Sequence, residues 1–196
     1  MNAVLRWLVL LSSVGVTGYG LFAYLGLEPG TTVHPDMKAS YAAHPVRILV
    51  HVVCSAVALV VGPLQFFPAL RARRRLHRTL GYAYALAVLG GGLSGFATAF
   101  IAFGGLVSGV GFGLLALVWL GATAAAVWAA RQKDFAGHER WAVRSFGLTF
   151  SAVTLRIYLG SFFAAGVPFE EFYPLLAWLC WVPNLLLIEW ILLRRR

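Results

Sequence analysis

Acidic residues are what this sequence has least of: seven Asp and Glu stand against sixteen Lys and Arg, and charged residues make up only 12% of 196 positions. A soluble domain keeps about a quarter of its positions charged. With 60% hydrophobic residues and a mean hydropathy of +0.80, the chain carries more apolar side chains than one water-soluble core can hide, and lipid is the solvent that accommodates the excess. Cysteine is sparse too. Cys54 and Cys180 both lie inside apolar runs, which excludes a disulfide framework and a paired-cysteine zinc site. Hydrolytic and nucleotide-driven chemistry lack their signatures, since there is no G-x-S-x-G elbow, no H-E-x-x-H, no phosphate-binding loop and no pair of inward carboxylates. Excess base ordinarily suggests nucleic acid. Here the arginines sit in short clusters between long apolar runs, a pattern that sets membrane orientation instead.

What the chain has is apolar length. About 20 residues rising about 1.5 Å each cross a hydrocarbon core of about 30 Å, and six runs qualify: 7–25, 46–67, 80–103, 110–130, 141–164 and 173–193. The first follows Arg6, as the apolar core of a signal peptide follows its basic region, but its apolar stretch is long and no A-x-A site closes it, so it reads as a membrane helix. The predicted architecture is therefore all-α: a polytopic bundle of six transmembrane helices forming one integral membrane domain over 1–196. No soluble domain, low-complexity tract or solenoid-period repeat interrupts it.

The connections carry orientation, because bases in short loops are retained on the cytoplasmic side during insertion. Arg71, Arg73, Arg74, Arg75 and Arg78 occupy the second connection, Arg131, Lys133, Arg140 and Arg144 the fourth, and Arg194, Arg195 and Arg196 the tail. The third and fifth connections hold no base, and the fifth holds Glu170 and Glu171. With Arg6 inside as well, both termini are expected to be cytoplasmic. The longest connection, 26–45, contains Glu28-Pro29-Gly30 and His34-Pro35-Asp36, turn-forming combinations that end the first helix and order a loop serving as a cover or a tether.

The interior is expected to be polar along particular faces. At 100° per residue, His44, Arg47, His51, Cys54, Ser55, Gly62 and Gln65 share one broad sector of the second helix, too polar for lipid, and Pro63 predicts a kink there. On the third helix His77, Gly81, Tyr84, Val88, Gly91 and Gly95 share a face. Its glycines read as a close-packing seam or as room for a flat cofactor, the seam being the simpler reading. Ser145, Thr149, Ala152 and Arg156 align on the fifth helix. Arg156 lies about 12–14 Å from the outer end, too deep to reach water fully, and Glu189, the one acid inside a span, lies about 12 Å from it in depth. Its expected counter-charge is thus a haem propionate, a quinone or lipid headgroup, backbone carbonyls at Pro183, or the outer acids reached through water. In the sixth helix, Asn184 is placed to bond across helices and Pro183 to open the backbone a turn earlier.

Histidines supply the candidate cofactor chemistry. His77 and His138 stand at the inner ends of helices three and five, and two imidazoles from different helices are the ligation of a b-type haem. Arg78 and Arg144 beside them suit its propionates. His51 is the outer counterpart; its i, i+3 relation to Cys54 would also fit zinc or copper, but only two ligands are present. Imidazoles near headgroup level equally need no cofactor.

The motif order His44-Pro45, His51, Gly62-Pro63-Leu64-Gln65-Phe66, Leu76-His77-Arg78-Thr79-Leu80-Gly81, His138-Glu139-Arg140-Trp141, Arg144-Ser145, Leu155-Arg156 and Trp178-Leu179-Cys180-Trp181-Val182-Pro183-Asn184 closely resembles a bacterial family of predicted membrane proteins classed as a domain of unknown function. The resemblance spans roughly 40 to 190. It implies a multi-pass protein of the bacterial inner membrane and no particular activity. More distantly the chain is similar to transmembrane cytochromes b, in which histidines on four adjacent helices hold two haems; the fourth helix here has no histidine, so this resemblance implies at most one inner haem, through His77 and His138. The leading expectation is a haem b or quinone-binding electron-transfer protein or redox-complex subunit, with a quinone or a redox protein as partner, no nucleic acid, and His77, His138, His51, Arg78, Arg144 and Arg156 as its site. The alternative is a non-enzymatic binder or transporter of a small anionic or lipid-like ligand in an outer-facing cavity lined by Arg47, His51 and Arg156. A third is an assembly factor without chemistry of its own.

Overall fold

The computed structural model describes residues 2–28 and 33–194. The Pro29-Gly30 part of the expected turn and the terminal Arg195 and Arg196 lie outside the described residues. Helices and short turns account for all regular structure among the described residues, and six helical segments are long and apolar enough to cross a membrane. Contacts group the chain into two compact units, 1–94 and 95–196, divided within the third span.

Unit 1 holds α1 (Ala3–Leu25), α2 (Pro35–Ala43), α3 (Pro45–Leu64), α4 (Pro68–Ala72) and most of α5 (Arg74–Ala99). The Asn2 side chain accepts the Leu5 N–H at 2.9 Å and starts α1, supplying one of the partners that a helix start lacks. α1 packs antiparallel to α3: Trp7 meets Phe67 edge-on at one end and Tyr24 stacks on Tyr41 at the other. Small buried residues, Ser13, Gly20 and Ala23 on one helix and Ala58 and Gly62 on the other, let the backbones approach. Part of the connection expected as a loop is the short helix α2. Pro35 and Pro45 stand at the starts of α2 and α3, where a missing N–H leaves no bond unmade.

Pro63 stands at the penultimate position of α3. It is buried in the last turn, and the chain leaves through three tight turns, Gln65 N–H to Gly62, Phe66 N–H to Pro63 and Phe67 N–H to Leu64. The cause lies downstream. Pro68 forces the preceding Phe67 into extended backbone, φ −82° and ψ 124°, so no helix can run through it.

Unit 2 contains the end of α5 with α6 (Gly105–Arg131), α7 (Phe135–Thr149), α8 (Ser151–Ala164), α9 (Phe169–Leu179) and α10 (Val182–Leu193). α7 and α8 form the fifth span, α9 and α10 the sixth. The turn into α6 uses Gly104 at φ +86°, where a Cβ would also strike Pro174 and Ser108. Asp134 caps α7 by accepting the Gly137 N–H at 2.8 Å. α6 is the centre of the unit and packs on both α7 and α9, through buried Ser108, Gly111, Ala116, Ala122 and Ala126.

Both later spans are interrupted near their middles. In the sixth, Cys180 and Trp181 separate α9 from α10, with Trp181 at φ −126° and ψ −33°. Pro183, which cannot donate to the previous turn, accounts for this break as the sequence predicts. The fifth span is interrupted at Phe150, where no glycine or proline stands.

Candidate functional site

The polar groups of unit 2 form a graded series along the fifth span. Between α6 and α7, Trp119 Nε1–H donates to Thr149 Oγ1 at 2.8 Å, and the Thr123 hydroxyl donates to the Trp119 carbonyl at 2.8 Å. Thr123 has thereby spent its proton, so the 2.6 Å contact between Thr123 Oγ1 and Ser145 Oγ is donated by Ser145. Thr149 in turn donates to the Ser145 carbonyl at 3.1 Å. These buried hydroxyls satisfy one another, which makes the seam a structural lock rather than a ligand site.

At the interruptions, Asn184 Nδ2 reaches Thr154 Oγ1 at 2.9 Å and the carbonyls of Cys180 and Gly147 at 3.2 and 3.4 Å. Ser151 donates to the Leu148 carbonyl at 2.6 Å. Side chains therefore take up carbonyls next to both breaks, the condition for irregular backbone inside a membrane. Trp178 stacks on Trp181 at 6.1 Å, and their indole N–H groups donate to the carbonyls of Val107 and Ala177. The sequence places Asn184 correctly as a cross-helix partner. It does not reveal Trp119, Thr123 or Thr154, whose side chains are common in ordinary apolar helices; the signal available was their alignment with Ser145 and Asn184.

Two arginines enter this span. Arg144 grips Glu189 of α10 with two parallel bonds, Nε to Oε1 at 2.5 Å and Nη2 to Oε2 at 2.7 Å, while its guanidinium lies over the Trp141 ring at 4.7 Å. This is the planar fork that arginine makes with carboxylates. The sequence suggests a haem propionate for Arg144 and sets Glu189 against Arg156, whereas the structure pairs Arg144 with Glu189. Arg156 sits eight positions before the end of α8 at Ala164, about 12 Å along the helix. Its Nη1 donates to the Ala152 carbonyl at 3.0 Å, one turn back toward the middle of the span. Its Nε is buried and has no acceptor among the described residues. The side chain thus turns away from the nearer helix end instead of stretching toward it.

Two histidines of the expected site are held by backbone carbonyls of a neighbouring helix. His138 Nδ1 lies 2.9 Å from the Ala126 carbonyl in unit 2, and His51 Nδ1 lies 2.8 Å from the Gly91 carbonyl in unit 1. A carbonyl only accepts, so both rings carry their proton on Nδ1. His77, half-buried in the first turn of α5, and exposed Arg78 belong to unit 1; His138, Arg144 and Arg156 belong to unit 2. The polar face of α3 does meet the glycine face of α5. His51 bonds Gly91, Cys54 packs so close to Gly90 that a Cβ there would lie 2.8 Å from its Sγ, and Gln65 faces Gly81. His44 is held by the Ser40 carbonyl at 3.1 Å.

A family model described as Predicted membrane protein (DUF2306) matches residues 48–192. The chain belongs to this family. The DUF2306 match takes in α3 from its first turn to α10, and with it His51, His77, His138, Arg144, Arg156, Asn184 and Glu189. No curated protein and no solved structure matches the chain. DUF2306 membership establishes an integral membrane protein with several membrane-crossing helices.

Proposed function

We propose that the protein binds a small anionic or lipid-like ligand, the quinones included, within the membrane, and that Arg156 anchors it. One observation carries this reading: a guanidinium about 12 Å from the helix end is turned inward and engages one backbone carbonyl, with Nε buried and unmatched among the described residues. An intramembrane arginine is costly and marks a ligand or ion path by default. A carboxylate, phosphate or quinone oxygen would complete the fork. The interrupted helices beside it fit such a role, since binding sites near the bilayer middle are commonly built on discontinuous spans. The bacterial cytoplasmic membrane, with both termini inside, is the proposed location.

The test is a thermal-shift screen of detergent-purified protein against fatty acids, phosphates and quinones. A hit should weaken by about 30-fold in Arg156→Leu, the loss of one charged hydrogen bond worth about 2 kcal/mol, and partly recover in Arg156→Lys. Identical midpoints in wild type and Arg156→Leu across the whole panel would sink the reading.

A second reading, electron transfer through haem b with His138 as an iron ligand, draws support from its ring orientation. A histidine that donates Nδ1–H to a carbonyl directs the Nε2 lone pair outward, the arrangement of ligating imidazoles. Here Glu189 competes with a propionate for Arg144. A reducible Soret band in the purified protein, lost in His138→Ala, favours this reading; a colourless preparation refutes it.

A further inference from the structure

We propose that the arginine-rich end of unit 1 is a docking face for anionic phospholipid headgroups, independent of any ligand at Arg156. Arg71, Arg73, Arg74, Arg75 and Arg78 fall within eight consecutive positions, and all are exposed. Arg6 joins them at the same end, its guanidinium 6.0 Å from the centre of the Phe67 ring that also holds Trp7.

What distinguishes this patch is where the acids are. Between Asp36 and Asp134 the sequence has none. The two acids of unit 1, Glu28 and Asp36, follow the far end of α1, a helix of 23 residues and therefore about 35 Å long. That separation is several screening lengths at physiological salt. Unit 2 differs: Asp134 and Glu139 stand among Arg131, Lys133 and Arg140, and Glu189 takes Arg144. α5 also begins with Arg74 and Arg75 and has no acid in its first turn, the reverse of what the helix dipole favours. The patch therefore concentrates positive charge in a stretch of sequence that has no acids.

The occupant follows from the level at which the patch sits. Trp7 is 55% exposed at the start of a membrane-crossing helix, the position of residues that rest among headgroups. Arginines here meet a surface of phosphates, and their planar donors suit phosphate oxygens.

Full-length protein in nanodiscs of phosphatidylcholine with a minor share of phosphatidylglycerol, released into detergent for native mass spectrometry, tests the inference. Phosphatidylglycerol should bind in preference to phosphatidylcholine and less tightly as salt rises. Affinity should fall about fivefold for each arginine replaced and about a hundredfold in R73Q/R74Q/R75Q, while R73K/R74K/R75K and the unit 2 control R131Q/K133Q stay within threefold of wild type. If the triple glutamine variant does not fold, R78Q alone decides by its fivefold loss. Equal binding of the two lipids, or an unchanged glutamine variant, overturns the proposal. So does displacement of the lipid by millimolar inorganic phosphate, which would indicate a free-anion site, or an acidic protein recovered in its place.

Discussion

Arg144 and Arg156 stand twelve positions apart on the same span and meet different partners. The first is paired with a carboxylate, the second with one carbonyl. The pair is half-buried, with the Glu189 side chain 38% exposed, and removing one partner still leaves the other's charge uncompensated within a membrane-crossing helix. Arg144→Leu and Glu189→Leu should each destabilise by about 2–3 kcal/mol, and the double variant by clearly less than their sum; unfolding in mixed micelles measures all three, and simple additivity would refute the pairing. Glu189 was legible in the sequence as the only acid inside a span, but its partner was not. Depth counted along Cα positions overlooks that side chains lean toward the start of their own helix. Arg144 leans back toward Phe135, the end of the fifth span at which the antiparallel α10 brings Glu189, whereas Arg156 starts about 18 Å further on.

At the scale of the helix, the two interruptions differ in how they are written. Pro183 announces one. The other, at Phe150, has no breaker residue, and its account is part local and part tertiary: Ser151 takes the Leu148 carbonyl three residues back, competing with the helical ladder in the way that bends helices, and Asn184 of the sixth span takes the Gly147 carbonyl. Pro63 carried the opposite lesson, since its effect depends on Pro68 five residues later. Close packing can be tested at two glycines. A Cβ at Gly111 would lie 2.9 Å from the Ala177 carbonyl oxygen and from Ala177 Cβ, which cannot move without the helix, whereas a Cβ at Gly147 would meet the flexible end of Ile188. Gly111→Ala should therefore lower stability by about 1–3 kcal/mol and Gly147→Ala by less, read as thermal midpoints of the two purified variants. The reverse order would show that the α6–α9 approach is looser than drawn.

For the molecule as a whole, six spans, their order and the polar face of α3 were legible because apolar length and charge clustering are properties of the sequence alone. The division into two units and the hydroxyl seam of α6 and α7 were not, since they depend on which helices meet. An even number of candidate spans, with bases clustered in alternate connections, is the ground on which we propose that both termini are cytoplasmic. Single cysteines replacing Asn2 and Arg194 should be labelled by a membrane-impermeant maleimide only in inside-out vesicles, and one replacing Lys38 only in right-side-out vesicles; Asn2 and Lys38 reacting from the same side would break the topology. The stacked indoles of Trp178 and Trp181, whose planes differ by 29°, have one more consequence. Two chromophores held this near each other couple optically, so the break in the sixth span should give the protein a circular-dichroism couplet, an internal gauge of whether the middle of that span holds its shape in a given lipid.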